Sequence, residues 1–184
     1  MRVIAGSAGG ITLKLPKTDL RPTMDLVRGA IFSSLGGGVE GASVLDLFSG
    51  TGSIGIEALS RGAASATLVE ADRKACSIIA ENLVRTRLQA KVVCNDVFRF
   101  LESKLAPEPV DLVFADPPYS KKVGDRDFSE ELLRNPRLPA LLVPGGTFVL
   151  EVAQNWAFPE ETGWECLRRK RYGSTETLFL KRPE

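Results

Sequence analysis

Histidine is absent from this sequence of 184 residues. It is the usual general base of enzymes near neutral pH and a frequent metal ligand. Its absence excludes Ser-His catalytic triads and histidine metal centres, and we predict no metal site. Any catalysis must therefore rest on carboxylates, backbone groups, aromatic rings or a reactive cofactor.

Cysteines are few, and long apolar runs are missing. The three cysteines, Cys76, Cys94 and Cys166, are far apart and form no CxxC pair, which is typical of reduced thiols in a cytoplasmic protein. No run of about 18 uncharged apolar residues occurs, so a membrane-spanning helix is not expected. The first ten residues lack the apolar stretch of a signal peptide. We expect a cytoplasmic protein with no membrane partner.

The formal net charge is only +1, but it is unevenly distributed. Residues 1–28 and residues 164–184 each carry a net charge of +3, which leaves −5 for the centre. Basic ends around an acidic centre fit a polyanion at the rim and a positive or neutral ligand inside. Basic residues placed for solubility would give the same pattern, so charge alone does not decide between the two.

Apolar runs of strand length alternate with segments of helical period from residue 43 onward. The predicted strands are 43–48, 66–71, 91–95, 110–115 and 145–152, and the predicted helices are 53–63, 72–87, 96–105 and a segment near 128–135. This alternation predicts a parallel, doubly wound α/β sheet. Two further strands, 164–172 and 175–182, are separated by a short turn and predict an antiparallel hairpin that makes the sheet mixed.

Residues 1–40 differ in character from the rest. The stretches "RVIAG" and "ITLKLP" flank a turn of small residues and predict an amino-terminal hairpin. Residues 23–35 have apolar side chains near helical spacing and predict a helix capped by Thr23. The run Gly36–Gly38 is expected to break the chain there. We therefore predict an extension over 1–40 and a catalytic core over 41–184.

A glycine-rich loop connects the first predicted strand of the core to its helix. Gly50, Gly52 and Gly55 form a GxGxxG pattern, and Glu70 follows 20 residues after Gly50, at the end of the next strand. Glycine lets a ligand approach the backbone, and the acid can hold both ribose hydroxyls. The pattern predicts an adenosine cofactor, with a purely structural glycine turn as the alternative.

Asp46, at the start of this loop, indicates which cofactor. A carboxylate facing the loop repels a pyrophosphate and favours a ligand with an ammonium and a sulfonium, such as S-adenosylmethionine. The alternative is that Asp46 only caps the turn. Asp96 follows the third strand and fits either the adenine amino group or a helix N-cap. The predicted cofactor-binding residues are Asp46, Phe48, Ser49, Gly50, Thr51, Gly52, Glu70, Ala71, Asp96 and Val97.

The sequence Asp116-Pro117-Pro118-Tyr119 follows the buried strand 110–115. Proline ends the strand, so these residues form a rigid lip at the sheet edge where α/β proteins bind ligands. The Asp116 carboxylate and the Pro117 carbonyl can accept the two hydrogens of an exocyclic amine, while Tyr119 stacks on the base. We predict all four as catalytic. The alternative is a turn that simply ends a strand.

Five segments carry a resemblance to a known family: "RVIAGSAGGITLKLP", "RPTMDLVRGAIFSSL", "LDLFSGTGSIGIEALSRGA", "VEAD" and "ADPPY". Together they resemble the RsmD type of bacterial amino-methyltransferase, which methylates the N2 amine of one guanine in 16S ribosomal RNA. The resemblance implies a seven-stranded Rossmann-like fold and S-adenosylmethionine as cofactor. It also implies 16S rRNA, within a small subunit or its assembly intermediate, as substrate, with ribosomal proteins as further partners.

The same resemblance makes four amino-terminal residues candidates for shaping or gripping the RNA: Arg21, Thr23, Asp25 and Arg28. The chain departs from the family pattern at Gly29 and Ser33, where glutamate and asparagine are frequent, and at "YGST", where "YGDT" is more usual. Contacts that depend on a glutamate at position 29 are therefore not expected.

Three other functions remain open at this point. A DNA adenine or cytosine amino-methyltransferase would use the same lip, but residues 120–144 are too short for a DNA-recognition domain. A nicotinamide oxidoreductase would need a pyrophosphate beside Asp46. A non-catalytic RNA-binding assembly factor could keep the fold without the reaction. Nothing in the sequence indicates a coiled-coil seam, so a monomer is expected.

Overall fold

The computed structural model describes residues 1–16, 24–119 and 125–182. The strands are β1 Ser43–Leu47, β2 Ser65–Glu70, β3 Lys91–Cys94, β4 Val110–Ala115, β5 Leu142–Ala153, β6 Glu165–Tyr172 and β7 Thr175–Lys181. They form one seven-stranded sheet in the order β3-β2-β1-β4-β5-β7-β6. The first five strands run parallel to one another, and β7 pairs antiparallel with both β5 and β6. The predicted mixed α/β sheet is confirmed.

The helices are α1 Met24–Leu35, α2 Ser53–Ser60, α3 Arg73–Thr86, α4 Val97–Glu102 and α5 Phe128–Arg134. Two of them are shorter than predicted by three or more residues, since α2 ends at Ser60 and α4 ends at Glu102. The amino terminus of α3 is capped by Asp72, whose carboxylate accepts a hydrogen bond of 2.6 Å from the Lys74 amide. Within the described ranges, no helix has the length and apolarity needed to cross a membrane.

Two apolar clusters cover the two faces of the sheet. One contains residues of α1, α2 and α3, such as Phe32 and Ile56, and the other contains residues of α4 and α5, such as Phe100. Neighbouring strand residues point to opposite faces, so Val44 joins one cluster and Leu45 the other. Because both faces are covered, polar functional groups are expected at the strand ends, and they gather where β1, β2, β4 and β5 end.

The predicted amino-terminal hairpin is present as a short antiparallel pairing. Arg2 and Thr12 form a bridge, and the amides of Val3, Gly10 and Leu13 donate to the carbonyls of Ile11, Val3 and Met1 at 2.9, 2.8 and 3.2 Å. Other backbone groups in this segment bond to α2. The Ser7 amide donates to the Ser60 carbonyl at 2.7 Å, and the Glu57 carboxylate accepts from the Ile4 amide at 2.7 Å. The hairpin is therefore attached to α2 through its own backbone groups.

The run of three glycines ends α1, as expected. The α-helix stops at Leu35, and Gly36 takes a left-handed φ of 54°. Gly36–Val39 then forms a short 3-10 helix whose Val39 is buried in the core. A left-handed residue directly after a helix is a common way to end it, and glycine adopts this conformation without steric cost.

Replacing Gly6 with alanine is expected to destabilise the protein by about 3 kcal/mol or more. An added Cβ would lie 1.7 Å from the Ser60 carbonyl oxygen, which is backbone and cannot move aside. The change in the free energy of unfolding can be measured by urea denaturation. Hydrogen exchange should show the amides of residues 3–8 losing protection first.

Gly10 provides the matched control. Its φ of +85° is close to the +82° of Gly6, but a Cβ at Gly10 would meet no atom within 4 Å. Gly10→Ala should therefore cost only the backbone strain, about 1–2 kcal/mol. Equal losses in the two variants would contradict the close approach of Gly6 to α2.

Candidate active site

A cavity of about 320 Å³ opens at the edge of the sheet where β1, β2, β4 and β5 end. The residues predicted from sequence that line it are Asp46, Phe48, Ser49, Gly50, Thr51, Glu70 and Asp116. The glycine loop and part of the proline lip, which are separated by more than 60 residues in the chain, thus share one cavity.

The glycine loop is held in an unusual backbone path. Phe48, Gly50 and Gly52 all have left-handed φ angles, of 58°, 55° and 77°. This conformation is costly for Phe48, which lines the cavity, and such strain is typical of functional loops. Gly52 and Gly55 serve packing, since an added Cβ at either would come within 2.9 Å of the Leu68 side chain. The loop therefore requires these residue types to bring α2 onto β2.

Asp46 is a buried carboxylate with one backbone donor. Its side chain is 2% exposed, and its Oδ2 accepts a hydrogen bond of 3.0 Å from the Gly55 amide. Burial raises the pKa of Asp46 to about 7, and the charge of Glu70 adds to the increase. A nearby cation would favour the ionised form. The turn-capping role considered from the sequence is therefore present, together with a carboxylate that a cationic ligand would stabilise.

Glu70 connects two loops at the cavity. One carboxylate oxygen accepts from the Gly50 amide at 2.8 Å, and the other accepts from the Asp72 amide at 2.8 Å. The side chain is thus placed between the glycine loop and the start of α3, at the end of β2.

Four predicted cofactor residues do not line this cavity: Gly52, Ala71, Asp96 and Val97. Asp96 accepts from the Arg99 amide at 3.0 Å and is the N-cap of α4. The capping alternative therefore holds for Asp96, and a contact with an adenine stays a prediction. Val97 is the first residue of α4 and is buried in the core.

An aromatic cluster that sequence reasoning missed lies beside Asp96. Phe48, Phe98 and Phe128 have ring centroids 5.8–6.4 Å apart. The Arg126 guanidinium lies over two of these rings, 4.7 Å from Phe98 and 4.5 Å from Phe128. The sequence does contain a signal for this cluster, since Phe48 and Phe98 each follow a strand within a few residues.

The proline lip begins directly after β4. Asp116 is exposed and lines the cavity, Pro117 is buried and Pro118 is exposed. The Tyr119 hydroxyl lies 3.0 Å from Glu151 Oε1 and 3.4 Å from Asp116 Oδ1. Burial raises the pKa of Tyr119 far above its usual value, and the two carboxylates raise it further. The tyrosine is thus a neutral donor between two acids.

Glu151 is a second acid of the cavity that sequence reasoning missed. It lies on β5, half-buried, and lines the cavity together with Asp116. The parallel register pairs Ala115 with Leu150, so the next residues along the two strands, Asp116 and Glu151, are neighbours. The sequence signal was an acid within the apolar run "FVLEVA", where a charged residue needs a reason.

The amino-terminal segment forms an outer wall of the cavity through Met1, Leu15 and Pro16. Asn82 of α3 holds this wall. Its fully buried amide accepts from the Lys14 amide at 2.7 Å and donates to the carbonyls of Lys14 and Thr51, each at 3.1 Å. One side chain therefore connects the wall to the glycine loop, and sequence reasoning did not identify it.

The residues predicted to contact RNA fall into two groups. Arg21 and Thr23 lie outside the described residues. Arg28 is only 2% exposed, and its guanidinium is paired with Asp25 at 2.9 Å and with buried Glu57 at 3.5 Å. Gripping of a phosphate by Arg28 is therefore wrong as a prediction, because burial and internal pairing remove it from the surface. Asp25 is partly exposed beside it.

The sequence matches the model of a known protein family and is similar to two named relatives. Residues 1–181 match the model of a family described as Conserved hypothetical protein 95. The chain is 36% identical over 187 residues to "Putative rRNA methyltransferase YlbH" of Bacillus subtilis, covering 99% of both chains. It is 40% identical over 123 residues to "Ribosomal RNA small subunit methyltransferase D" of Escherichia coli, covering 66% of this chain and 61% of that protein.

A solved structure shares the whole architecture. The protein titled "Putative methyltransferase yhhF from Escherichia coli" superposes with a TM-score of 0.85 at 32% identity, covering 100% of this chain and 98% of that one. The likeness therefore includes the amino-terminal segment as well as the seven-stranded sheet.

Proposed function

Because the chain belongs to the Conserved hypothetical protein 95 family, we propose that it methylates the N2 amine of a guanine in 16S rRNA. The methyl donor is S-adenosylmethionine. The family match and the relatives named as rRNA methyltransferases confirm the resemblance to RsmD-type enzymes. They support rRNA methylation over a nicotinamide oxidoreductase.

One observation carries this proposal: the cavity that contains Asp46 and the glycine loop also contains Asp116. A donor held at the loop and an amine held at the lip would meet in the same space. The arrangement supplies what group transfer between two bound molecules needs, which is proximity and orientation.

The residues of the cavity fit S-adenosylmethionine. Asp46 offers a buried carboxylate to its ammonium and sulfonium charges, and Glu70 would hold the ribose hydroxyls. Asp96, outside the cavity lining at the start of α4, would accept from the adenine amine. When bound, this cofactor supplies a methyl group made electrophilic by the sulfonium. A pyrophosphate would instead be repelled by Asp46.

The lip residues act on the target base. An exocyclic amine is a poor nucleophile, since its lone pair is delocalised into the ring. Hydrogen bonds from its two N–H groups to the Asp116 carboxylate and the Pro117 carbonyl would aim the lone pair into the cavity. The same acceptors stabilise the positive charge that grows on the nitrogen. The methylated amine is then acidic enough to lose its proton without a strong base.

Residues 1–40 would form an extension on the catalytic core 41–184 and would lie on the side that meets the RNA. Arg21, Thr23 and Asp25 remain candidates for shaping or gripping the RNA, and Arg28 for shaping it from within. The RNA is expected to be presented in a small subunit or its assembly intermediate, with ribosomal proteins contributing, to a monomeric enzyme.

Tritiated methyl transfer tests the proposed function directly. Small subunits from a strain that lacks the modification would be incubated with labelled S-adenosylmethionine and the protein, with naked rRNA and duplex DNA as comparators. Nucleoside analysis should give N2-methylguanosine from small-subunit RNA. Label on adenine or cytosine of DNA would overturn the substrate. Cofactor binding without any label would indicate the non-catalytic assembly factor.

Asn82→Ala is expected to weaken S-adenosylmethionine binding about tenfold, because it removes two hydrogen bonds to the outer wall and one to the glycine loop. Calorimetry would measure the dissociation constant. In the methylation assay KM for the cofactor should rise while kcat changes little, since Asn82 touches neither Asp116 nor the base.

Glu81→Gln is the matched control for this change. Glu81 also contacts Lys14, but through exposed side chains paired at 2.6 Å. Such surface pairs contribute little. The control should therefore bind the cofactor as the unmodified protein does. Normal cofactor affinity in Asn82→Ala would contradict the role of the wall.

A further inference from the structure

We propose that Glu151 determines the target base by accepting the N1–H of guanine beside the amine held by Asp116. This assignment rests on the proposed function and adds a specificity-determining residue to it. Within that function, Asp116 and the proline lip recognise a planar amine, which guanine, adenine and cytosine all offer. A second acceptor next to Asp116 would distinguish guanine from adenine and cytosine.

The geometry brings the two acids to the same place. Asp116 and Glu151 follow paired residues on β4 and β5, and both line the cavity. One hydroxyl, that of Tyr119, lies within 3.4 Å of oxygens of both carboxylates. The two acceptors are therefore close neighbours at the cavity, held in register by a neutral donor and by the parallel pairing of their strands.

Guanine fits a pair of adjacent acceptors. Its N2 amine lies next to the N1–H on the same edge of the ring, so the two positions present donors side by side. The ring nitrogen next to the amine of adenine or cytosine carries a lone pair instead. A carboxylate at that position attracts guanine and repels the other two bases.

Glu151 can do this while it holds Tyr119. An ionised carboxylate has about four lone-pair sites, and the tyrosine hydroxyl occupies one of them. The site is half-buried, so a carboxylate that faces a ring lone pair there would be repelled with little screening by water. Sites built to hydrogen-bond a substrate reject analogues that lack the matching group. Glu151 would thus select guanine by rejecting the alternatives.

2-Aminopurine is the probe that isolates the N1–H. It keeps the 2-amino group but has a lone pair at N1 and no oxygen at C6. Small subunits would be reconstituted with rRNA carrying guanine or 2-aminopurine at the position that the unmodified enzyme methylates. We expect that enzyme to prefer guanine in kcat/KM on the order of 100-fold.

Glu151→Gln should reduce this preference to below about tenfold, because a glutamine amide can donate to the lone pair at N1 as well as accept from an N1–H. 2-Aminopurine lacks the C6 oxygen whichever enzyme is assayed. The ratio of the preference of the unmodified enzyme to that of Glu151→Gln therefore reports on N1 alone. Glu165→Gln, an exposed acid at the opposite end of the sheet on β6, is the control and should keep the 100-fold preference.

An unchanged preference in Glu151→Gln would overturn the assignment. If that variant turns over neither substrate, competition binding of the two RNAs in the presence of S-adenosylhomocysteine gives the same ratio without catalysis, and equal ratios would again overturn it. A failure of the proposed function has a different signature, since the unmodified protein would then leave guanine unmethylated in the first place.

Discussion

Asp116→Ala is expected to lower the rate of methyl transfer on the order of 1,000-fold or more, while S-adenosylmethionine still binds with nearly unchanged affinity. Asp116 is exposed at the lip and belongs to the target side of the cavity. Asp46 and Glu70, which are expected to hold the cofactor, keep their backbone hydrogen bonds in this variant.

The size of this effect follows from what the carboxylate does. It would accept one amine hydrogen, aim the lone pair and stabilise the charge that develops on the nitrogen, and the last contribution is larger in the transition state than in the ground state. Removing it should therefore lower kcat more than it raises KM for the RNA. Single-turnover methylation would measure the rate of methyl transfer, and calorimetry would measure the affinity for the cofactor.

Glu102→Gln is a suitable control, because Glu102 is an exposed acid at the end of α4 that pairs with Arg137 on the surface. It should behave as the unmodified protein in both measurements. Loss of cofactor binding in Asp116→Ala would contradict the placement of Asp116 on the target side. Methylation at the normal rate would contradict its catalytic role altogether.

Asp46→Asn is expected to weaken S-adenosylmethionine binding on the order of 100-fold at pH 8, because a buried charge partner of the cofactor is lost. In the unmodified protein, affinity should increase as the pH rises through about 7, where the Asp46 carboxyl ionises. The asparagine variant should lack this pH dependence. Calorimetric titration between pH 6 and pH 8 would measure both.

The same substitution should stabilise the cofactor-free protein at pH 8. The pKa of Asp46 is raised by burial from 3.8 to about 7. Between these values the native state holds a proton that the unfolded state has released, so this group makes stability fall as the pH rises. Asparagine removes that loss. The gain in Tm over the unmodified protein should therefore be larger at pH 8 than at pH 5.

Asp111→Asn is the control, because its expected effect on stability at pH 8 has the opposite sign. Asp111 lies at the amino end of β4, and hydrogen bonds from the Ser43 hydroxyl and amide hold its pKa below the usual value. Its contribution is present at neutral pH and is lost as the pH falls through its folded pKa. Asp111→Asn should therefore lower stability at pH 8 and leave cofactor affinity unchanged. A cofactor affinity independent of pH in the unmodified protein would contradict the role of Asp46.

Much of the cavity was predictable because its parts are short, local patterns. The glycine loop needs left-handed backbone at Gly50 and Gly52 and close packing at Gly55, so the residue types themselves reveal the turn. The lip is similar, since Pro117 and Pro118 end a strand wherever they occur. Asp96 shows the limit of such patterns, because an N-cap and an adenine partner require the same residue at the same place.

Contacts between distant segments were not predictable in the same way. The sequence makes Arg28 a candidate for shaping or gripping the RNA, yet it pairs with Glu57, 29 positions along the chain, in the interior. A basic residue on a helix has no local mark that distinguishes an internal ion pair from an exposed contact. Its burial depends on how α1 packs on α2.

The sequence alone determined the α/β order, the glycine loop and the lip, because strand and helix periodicity and turn chemistry depend on neighbouring residues. The tertiary structure decided which distant residues complete the site. Glu151 meets Tyr119 across 32 positions and Asn82 meets Lys14 across 68. Such pairs depend on strand order, register and helix packing, which arise from the whole core.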